Sequence, residues 1–316
     1  MAKKELKGID AKEDLKIIIG NGLINSWVVN FIGKSDECIP FSFSFRFNIY
    51  NISFGLRQIC MLNTTVAVTK GDDDWYHYED KFVEIKAKKK IRYDMLSALG
   101  DFSTIEGDYK KLNIWSLIPW AAIKFELSSD EKTFYDNEDG KTTVNCMDYY
   151  GYSVPEWNAE GTVEIDNKVF NVTGHGWMER TVSRIPDRNS KDIENKIRLN
   201  ISCDDNTNLS IHSIFNRLSG EERAWIDYID KEGKTGKIEI DSLLNKAIEY
   251  WQSPKSGQNY PISFELEIPE LEKRIVTRPM IYNQEAYAKH QNECRYYGGG
   301  YTEDGTCFYE MTGLWK

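Results

Sequence analysis

A histidine, a tryptophan and a glutamate stand at every second position in the run Gly174-His-Gly-Trp-Met-Glu-Arg, as His175, Trp177 and Glu179. In an extended chain alternate side chains share a face. One face would therefore present an imidazole, an indole and a carboxylate in a row. The imidazole titrates near neutrality, so His175 could donate a proton or orient a ligand. A hydrogen-bonded histidine that ties strands or barrels together would look the same in sequence. Glu179, once buried, would hold its proton to higher pH and could protonate an alkene or polarise a carbonyl. The competing reading is an ion pair with Arg180, Arg184 or another cation. The glycines on either side of His175 would let a ligand or a second barrel come close. The expected setting is a greasy cavity shut off from bulk water.

Strands have to position these groups. The stretch from Tyr149 to Val163 and the stretch from Val169 to Thr181 read as a hairpin. In Ile39-Pro-Phe-Ser-Phe-Ser-Phe-Arg-Phe-Asn-Ile, Phe41, Phe43, Phe45 and Phe47 alternate with Ser42, Ser44, Arg46 and Asn48. That is a strand with one apolar face. A dozen or so similar runs follow, separated by turn signals such as Asn137-Glu-Asp-Gly and Asp204-Asp-Asn-Thr-Asn. Helical periodicity is scarce: Asp241 to Trp251 could form a short helix or a strand, and Asn283 to His290 reads as a weak helix. Many short strands predict an all-β protein. Two antiparallel barrels side by side absorb them better than one. The charged stretch Ser183-Arg-Ile-Pro-Asp-Arg-Asn-Ser-Lys-Asp is the expected break, giving domains 1–187 and 188–316.

Composition narrows the partners. The chain has 316 residues and a net charge of −10, which argues against nucleic acid and anionic membranes. No run approaches the ~20 apolar residues that span a bilayer, and the N-terminus lacks the apolar core of a signal peptide. A cytoplasmic protein with reduced thiols is expected. Aromatic residues make up 13% of the chain, and such residues line sites for large apolar ligands. Trp27, Tyr149, Tyr150, Tyr152, Trp157, Trp177, Tyr296 and Tyr297 are the expected wall of a site between the barrels. No nucleophile elbow, P-loop, dinucleotide fingerprint or His-Glu-x-x-His occurs. The histidines His77, His212 and His290 are isolated, so neither a metal nor a cofactor is expected.

The paired tyrosines with Tyr152-Ser-Val-Pro, the hairpin, and then Gly174-His-Gly-Trp-Met-Glu-Arg resemble the AttH/CrtC group. This group of two-domain lipocalin-like proteins includes carotenoid 1,2-hydratases, kievitone hydratase and fungal lipocalin-like Diels–Alderases. The C-terminal end is similar too, in Tyr296-Tyr-Gly-Gly and in Gly305-Thr-Cys-Phe-Tyr-Glu-Met-Thr-Gly, where Glu310 would be a buried acceptor that locks a barrel. The resemblance covers about residues 146–182 and 292–315. It implies two lipocalin-like barrels, His175 as the hydratases' His-x-Trp histidine, and an acid downstream, for which Asp204 stands at a plausible distance. Asp204 and Asp205 also read as turn residues. The chain departs from the family where Glu179 replaces an Asp and Thr181-Val-Ser replaces Gln/Glu-Trp-Gly.

Together these readings lead to a cofactor-independent enzyme that cyclises or hydrates a hydrophobic polyene, isoprenoid or polyketide-derived molecule. His175, Glu179 or a tyrosine hydroxyl would supply one proton or one hydrogen bond. Because the hydratases' acidic pattern is imperfectly kept, cyclisation leads. A carrier that binds a lipophilic molecule without converting it is the alternative.

Overall fold

The computed structural model describes residues 15, 17–18, 22–54, 57–84, 91–92, 96–99, 102–129, 132–144, 147–184, 194–288 and 293–315. Among them the chain is almost wholly β. The first half supplies β1 (Leu23–Ser35), β2 (Pro40–Phe54), β3 (Arg57–Lys70), β4 (Trp75–Glu84), β5 (Ile91–Arg92), β6 (Leu96–Leu99) and β7 (Ser103–Gly107). It continues with β8 (Lys111–Ile118), β9 (Ala121–Ser129), β10 (Phe134–Tyr135), β11 (Lys141–Val144), β12 (Met147–Ile165) and β13 (Lys168–Arg184). These make one antiparallel sheet in the order β4-β3-β2-β1-β13-β12-β9-β8-β7-β6-β5, with β10 and β11 added beside β12.

The sheet curls on itself because its apolar faces converge. Phe41, Phe43, Phe45 and Phe47 from β2 meet Trp27, Val29 and Phe31 from β1, Phe125 from β9, Trp157 from β12 and Met178 from β13 in one buried cluster. Phe31 and Phe43 each set their rings at a steep angle to Phe125, with centroids 4.9 and 4.8 Å apart. Each buried phenylalanine contributes roughly 1.5–3 kcal/mol.

The second half forms β14 (Glu194–Cys203), β15 (Asn208–Asn216), β16 (Glu222–Ile229), β17 (Thr235–Ile240), β18 (Ala247–Gln252) and β19 (Asn259–Ile268). The chain then adds β20 (Lys273–Val276), β21 (Arg278–Pro279), β22 (Glu285–Ala288), β23 (Glu293–Thr302) and β24 (Gly305–Thr312). An antiparallel sheet in the order β17-β16-β15-β14-β24-β23-β21 and a smaller one of β18, β19 and β20 enclose a second core around Leu199, Ile211, Phe264, Tyr296 and Met311. The fold is thus two lipocalin-like β-barrels packed together. The change of sheet falls between Arg184 and Glu194, so the expected boundary at 187/188 lies outside the described residues.

Of the two weakly helical segments, Asp241 to Trp251 takes the strand alternative, with a three-residue 3₁₀ turn at Leu244–Lys246 leading into β18, and the helix expected from Asn283 is corrected, since Glu285–Ala288 is a strand. Alternate apolar residues on strands that each close one side of a barrel outweigh the weak helical pattern. No helix among the described residues is long and apolar enough to cross a membrane.

A β-bulge sets the faces of β12. The register against β13 shifts between Val154 and Trp157, with Glu156 left-handed at φ 60°. Pro155, which has no N–H for the ladder, sits inside this break. One extra residue reverses the alternation: Tyr152 and Val154 point into the barrel before it, Trp157 and Ala159 after it. Ser153 is thereby left on the outer face.

The outer faces of the two barrels pack against each other, and they approach tightly at Gly299 of β23. A Cβ there would lie 2.5 Å from Ser42 Oγ and 2.6 Å from Ser42 Cβ on β2. Gly299→Ala should therefore push the barrels apart and lower stability by roughly 1–3 kcal/mol, the usual cost of overpacking. Urea unfolding that leaves the midpoint unchanged would contradict this contact.

Candidate functional site

Strand register aligns two rows of side chains across the junction. On the first barrel, Arg46, Val28 and Glu179 are directly opposed on β2, β1 and β13, with Ser153 of β12 next to Glu179. On the second barrel, Tyr297, Glu310, Arg198, His212 and Trp225 are opposed in turn across β23, β24, β14, β15 and β16. Directly opposed residues project from one side of a sheet. The rows meet face to face with complementary charge.

Two ion pairs join them. Arg46 Nη2 lies 2.5 Å from Glu310 Oε1, and Arg198 Nη1 lies 2.8 Å from Glu179 Oε2. Arg198 also donates through Nη2 to Asp136 Oδ1 at 3.0 Å and Ser153 Oγ at 3.1 Å, and through Nε to Ser210 Oγ at 3.2 Å. Asn200 Nδ2 donates to the other oxygen of Glu179. Ser210 Oγ donates to Asn200 Oδ1 at 2.9 Å and lies 3.0 Å from His212 Nε2. His212 stacks flat on Trp225, with centroids 4.7 Å apart. Asp227 ends the chain of contacts, accepting from Trp225 Nε1 at 2.8 Å and Asn137 N at 2.9 Å on Oδ2, while its buried Oδ1 has no partner among the described residues.

Burial decides which acids keep a proton. It raises Glu179 above the ordinary carboxylate range; Arg198 and Asn200 pull the other way, while Glu310 and Asp136 add like charge. For Glu310 burial also opposes the charge, but Arg46 and then Arg198 more than offset it and hold that group low. Asp227 is pushed up to about 7 by burial and by Asp136, against the pull of Asn137, Trp225 and Arg198. Burial, with Arg198, Lys196 and Lys237 nearby, keeps His212 neutral. The junction therefore holds carboxyl groups whose protonated form persists well above the ordinary carboxylate range.

The structure separates the residues expected to act together. Glu179 is 3% exposed and enters the polar network, pairing with Arg198 of the other barrel. Arg180 turns into the first barrel, 4.2 Å over the Trp27 ring, and donates to Asn25 Oδ1 at 2.7 Å. His175 is exposed. It lines a cleft of about 910 Å³ with Ile32, Asn158, Asp204, Tyr301 and Thr306, and also an adjoining hollow of about 450 Å³ with Glu156 and Asn206. Asp204 is a turn residue and still meets His175 there. Between His175 and Glu179, Trp177 packs on Ile32, Phe134, Ile229 and Phe308 as an apolar plug. Its Nε1 has no partner among the described residues. Four strand steps separate His175 from Glu179, about 13 Å. The single greasy cavity is thus replaced by an open cleft, a plug and a charged network along one face.

The expected aromatic wall is divided as well. Trp27, Tyr152 and Trp157 lie in the first core and Tyr296 in the second. Tyr150 is half-buried on β12, and Tyr149 packs beside Ile214 and Trp225. Of the set, Tyr149, Trp177 and Tyr297 face the junction; the Arg46 guanidinium lies 5.1 Å from the Tyr297 ring centre. Alternation decides this, because inward positions of both barrels are already filled by these rings. Gly174 also serves the sheet rather than a ligand: a Cβ there would lie 2.0 Å from the Ile32 carbonyl of the neighbouring strand.

Arg46, Arg198, Asn200, Ser210, His212, Asp227 and Asp136 were not among the expected site residues. Their signal is the alternation in Lys196-Ile-Arg-Leu-Asn-Ile-Ser and in β2, which marks an outward polar face without revealing that the face is buried.

A model of the AttH-like family matches residues 49–314. The chain belongs to the AttH-like family. An AttH-assigned protein of Nitrosomonas europaea is similar to this AttH-like chain with a TM-score of 0.81 at 16% identity over 98% of each chain. Kievitone hydratase of Nectria haematococca follows with a TM-score of 0.72 at 10% identity, over 98% of this chain and 93% of that one. CghA, solved with Sch210972, gives 0.54 at 8% identity over 93% and 89%. The sequence matches no curated protein. At these identities the likeness shows the fold.

The raised Asp227 fixes a pH dependence. The unfolded group releases its proton near the ordinary value of 3.8, and the folded one near 7. Between these values the native Asp227 binds more protons than the unfolded one, so its contribution to stability is full at low pH and is lost as pH rises from about 4 to 7. The slope should approach at most about 1.4 kcal/mol per pH unit. Asp227→Asn, whose amide oxygen still accepts from Trp225 and Asn137, should flatten it in thermal melts. An unchanged slope would remove Asp227 as the cause.

Proposed function

We propose that this AttH-like protein is a cofactor-independent enzyme that cyclises or hydrates a hydrophobic unsaturated small molecule at the junction of its barrels, with Glu179 as the proton donor. The observation that carries the reading is the environment of that carboxyl. Burial keeps it protonated, while Arg198 at 2.8 Å and Asn200 stand ready to receive its charge once the proton leaves. An acid poised in this way is matched to work near neutral pH. Arg46 and Glu310, in the facing rows, keep 17% and 22% of their side-chain surface open, and in this reading substrate arrives from that side.

In hydration, Glu179 gives its proton to one carbon of a double bond and water adds to the other. The proton released by the added water returns to the carboxylate. In cyclisation the proton stays on Glu179 and hydrogen-bonds to a carbonyl conjugated with the alkene; bonds rearrange within the substrate and no atom is gained. Cyclisation leads, because it needs only orientation and one hydrogen bond. The names of two structural neighbours, a hydratase and CghA solved with Sch210972, lend support to a small molecule as substrate. We assign His175 and Asp204 to the open cleft on the far side of Trp177, where they orient or admit ligand without giving the reacting proton.

Incubation with linear polyenes that carry a conjugated carbonyl, followed by mass spectrometry, tests this. Cyclisation conserves mass and hydration adds one water. For hydration, Glu179→Gln should lower turnover roughly 10²–10⁴-fold; for cyclisation, Glu179→Leu, which removes the hydrogen-bond donor, should lower it, with the fold retained by circular dichroism, and His175→Ala should have a far smaller effect in both. Full hydration by Glu179→Gln, or full cyclisation by Glu179→Leu, would exclude Glu179 as the donor, and unchanged ligand across the panel would favour a carrier.

A further inference from the structure

Arg46 has a capacity that the fold does not use. A guanidinium carries five N–H donors in a planar fork suited to two-point contact with an anionic oxygen pair. In this protein one bond is made, from Nη2 to Glu310 Oε1 at 2.5 Å, and the other donors find no protein acceptor among the described residues. The group is nonetheless held. Glu310 fixes one edge and the Tyr297 ring lies 5.1 Å away across its face. Its side chain keeps 17% of its surface open.

The residues around Arg46 are braced against one another. On the same face of the first barrel, Asn48 Nδ2 donates to Asn63 Oδ1 at 3.1 Å, Asn63 Nδ2 to Asp80 Oδ1 at 2.5 Å, and Thr65 Oγ1 to the same oxygen at 3.2 Å. Asp80 is thereby occupied by neighbours of its own and is not directed at Arg46. Donors that the protein leaves unfilled can take an acceptor from a ligand.

We infer that Arg46 anchors a carboxylate or enolate oxygen at one end of an otherwise hydrophobic substrate. The inference rests on the proposed reaction for its orientation and adds the substrate's polar end to it. Arg46 and Glu179 are two strands apart on one row, about 9.5 Å, with Val28 between them. An oxygen held at Arg46 lays the unsaturated chain across Val28 toward the Glu179 proton. Head and reacting carbon are then fixed separately, which is how a flexible chain is held in one reactive fold.

The test uses cis-parinaric acid, whose fluorescence rises in an apolar site, against its methyl ester, which has the same chain without the charge. The intact protein should bind the acid at least about tenfold more tightly than the ester, the worth of one good charge-assisted contact. Arg46→Gln should abolish that preference and leave ester binding unchanged, and Arg46→Lys should keep part of it. The pair Arg46→Gln with Glu310→Gln removes both charges together and should behave like Arg46→Gln, which guards against misfolding from an unpaired Glu310. Equal binding of acid and ester by the intact protein, or a preference that survives in the paired variant, overturns the anchor and leaves the reaction at Glu179 standing. Binding of neither compound overturns the anchor and the hydrophobic substrate together.

Discussion

Charge removed from water has to be matched, and that requirement organises the junction of the two barrels. Arg198 sits on an outward position of the second barrel and meets Glu179, Asp136, Ser153 and Ser210 at 2.8–3.2 Å. Arg198 could not stay ionised between the sheets without partners of this kind. Arg46 and Glu310 repeat the arrangement one step along. Two surfaces that would each be a solvated outer face in a single barrel thus become an interior that is polar along these rows.

How much of this was legible in sequence depends on distance along the chain. The Phe41 to Phe47 alternation fixes a strand and its inward face, and those rings do fill the first core. The hairpin of β12 and β13 was legible for the same reason, as was the common face of His175, Trp177 and Glu179. What lies opposite that face was not. Glu179 has Arg180 and Arg184 nearby in sequence, yet its partner is Arg198, because side chains next in sequence point to opposite sides of a strand. The aromatic wall failed through parity. Trp157 lies inside the first barrel because the Pro155–Glu156 bulge shifts the count by one, and no composition argument reveals such a shift.

The bulge also links fold and site. Without the extra residue, Ser153 and Asn158 could not both face the second barrel, since they are five positions apart. With it, Ser153 bonds Arg198 at 3.1 Å and Asn158 lines the cleft beside His175. Glu156 itself, held left-handed, bonds Asn208 of the second barrel at 2.6 Å. One irregularity in β12 thus serves the buried network, the open cleft and the docking of the barrels. Bulges are common beside active sites for this reason.

Docking alone does not call for charges. Well-packed apolar residues of similar volume often stabilise a structure as much as a buried ion pair or more, and both barrels already bury large aromatic clusters elsewhere. At Trp177 the junction is in fact apolar, sealed by Ile32, Phe134, Ile229 and Phe308. The same face changes from that plug to Glu179 within two residues. A carboxyl kept neutral by burial, with a guanidinium and an amide already placed to hold its anion, is costly as glue. In the role proposed for it, as a proton source, its donors are oriented by the strands before any reaction begins.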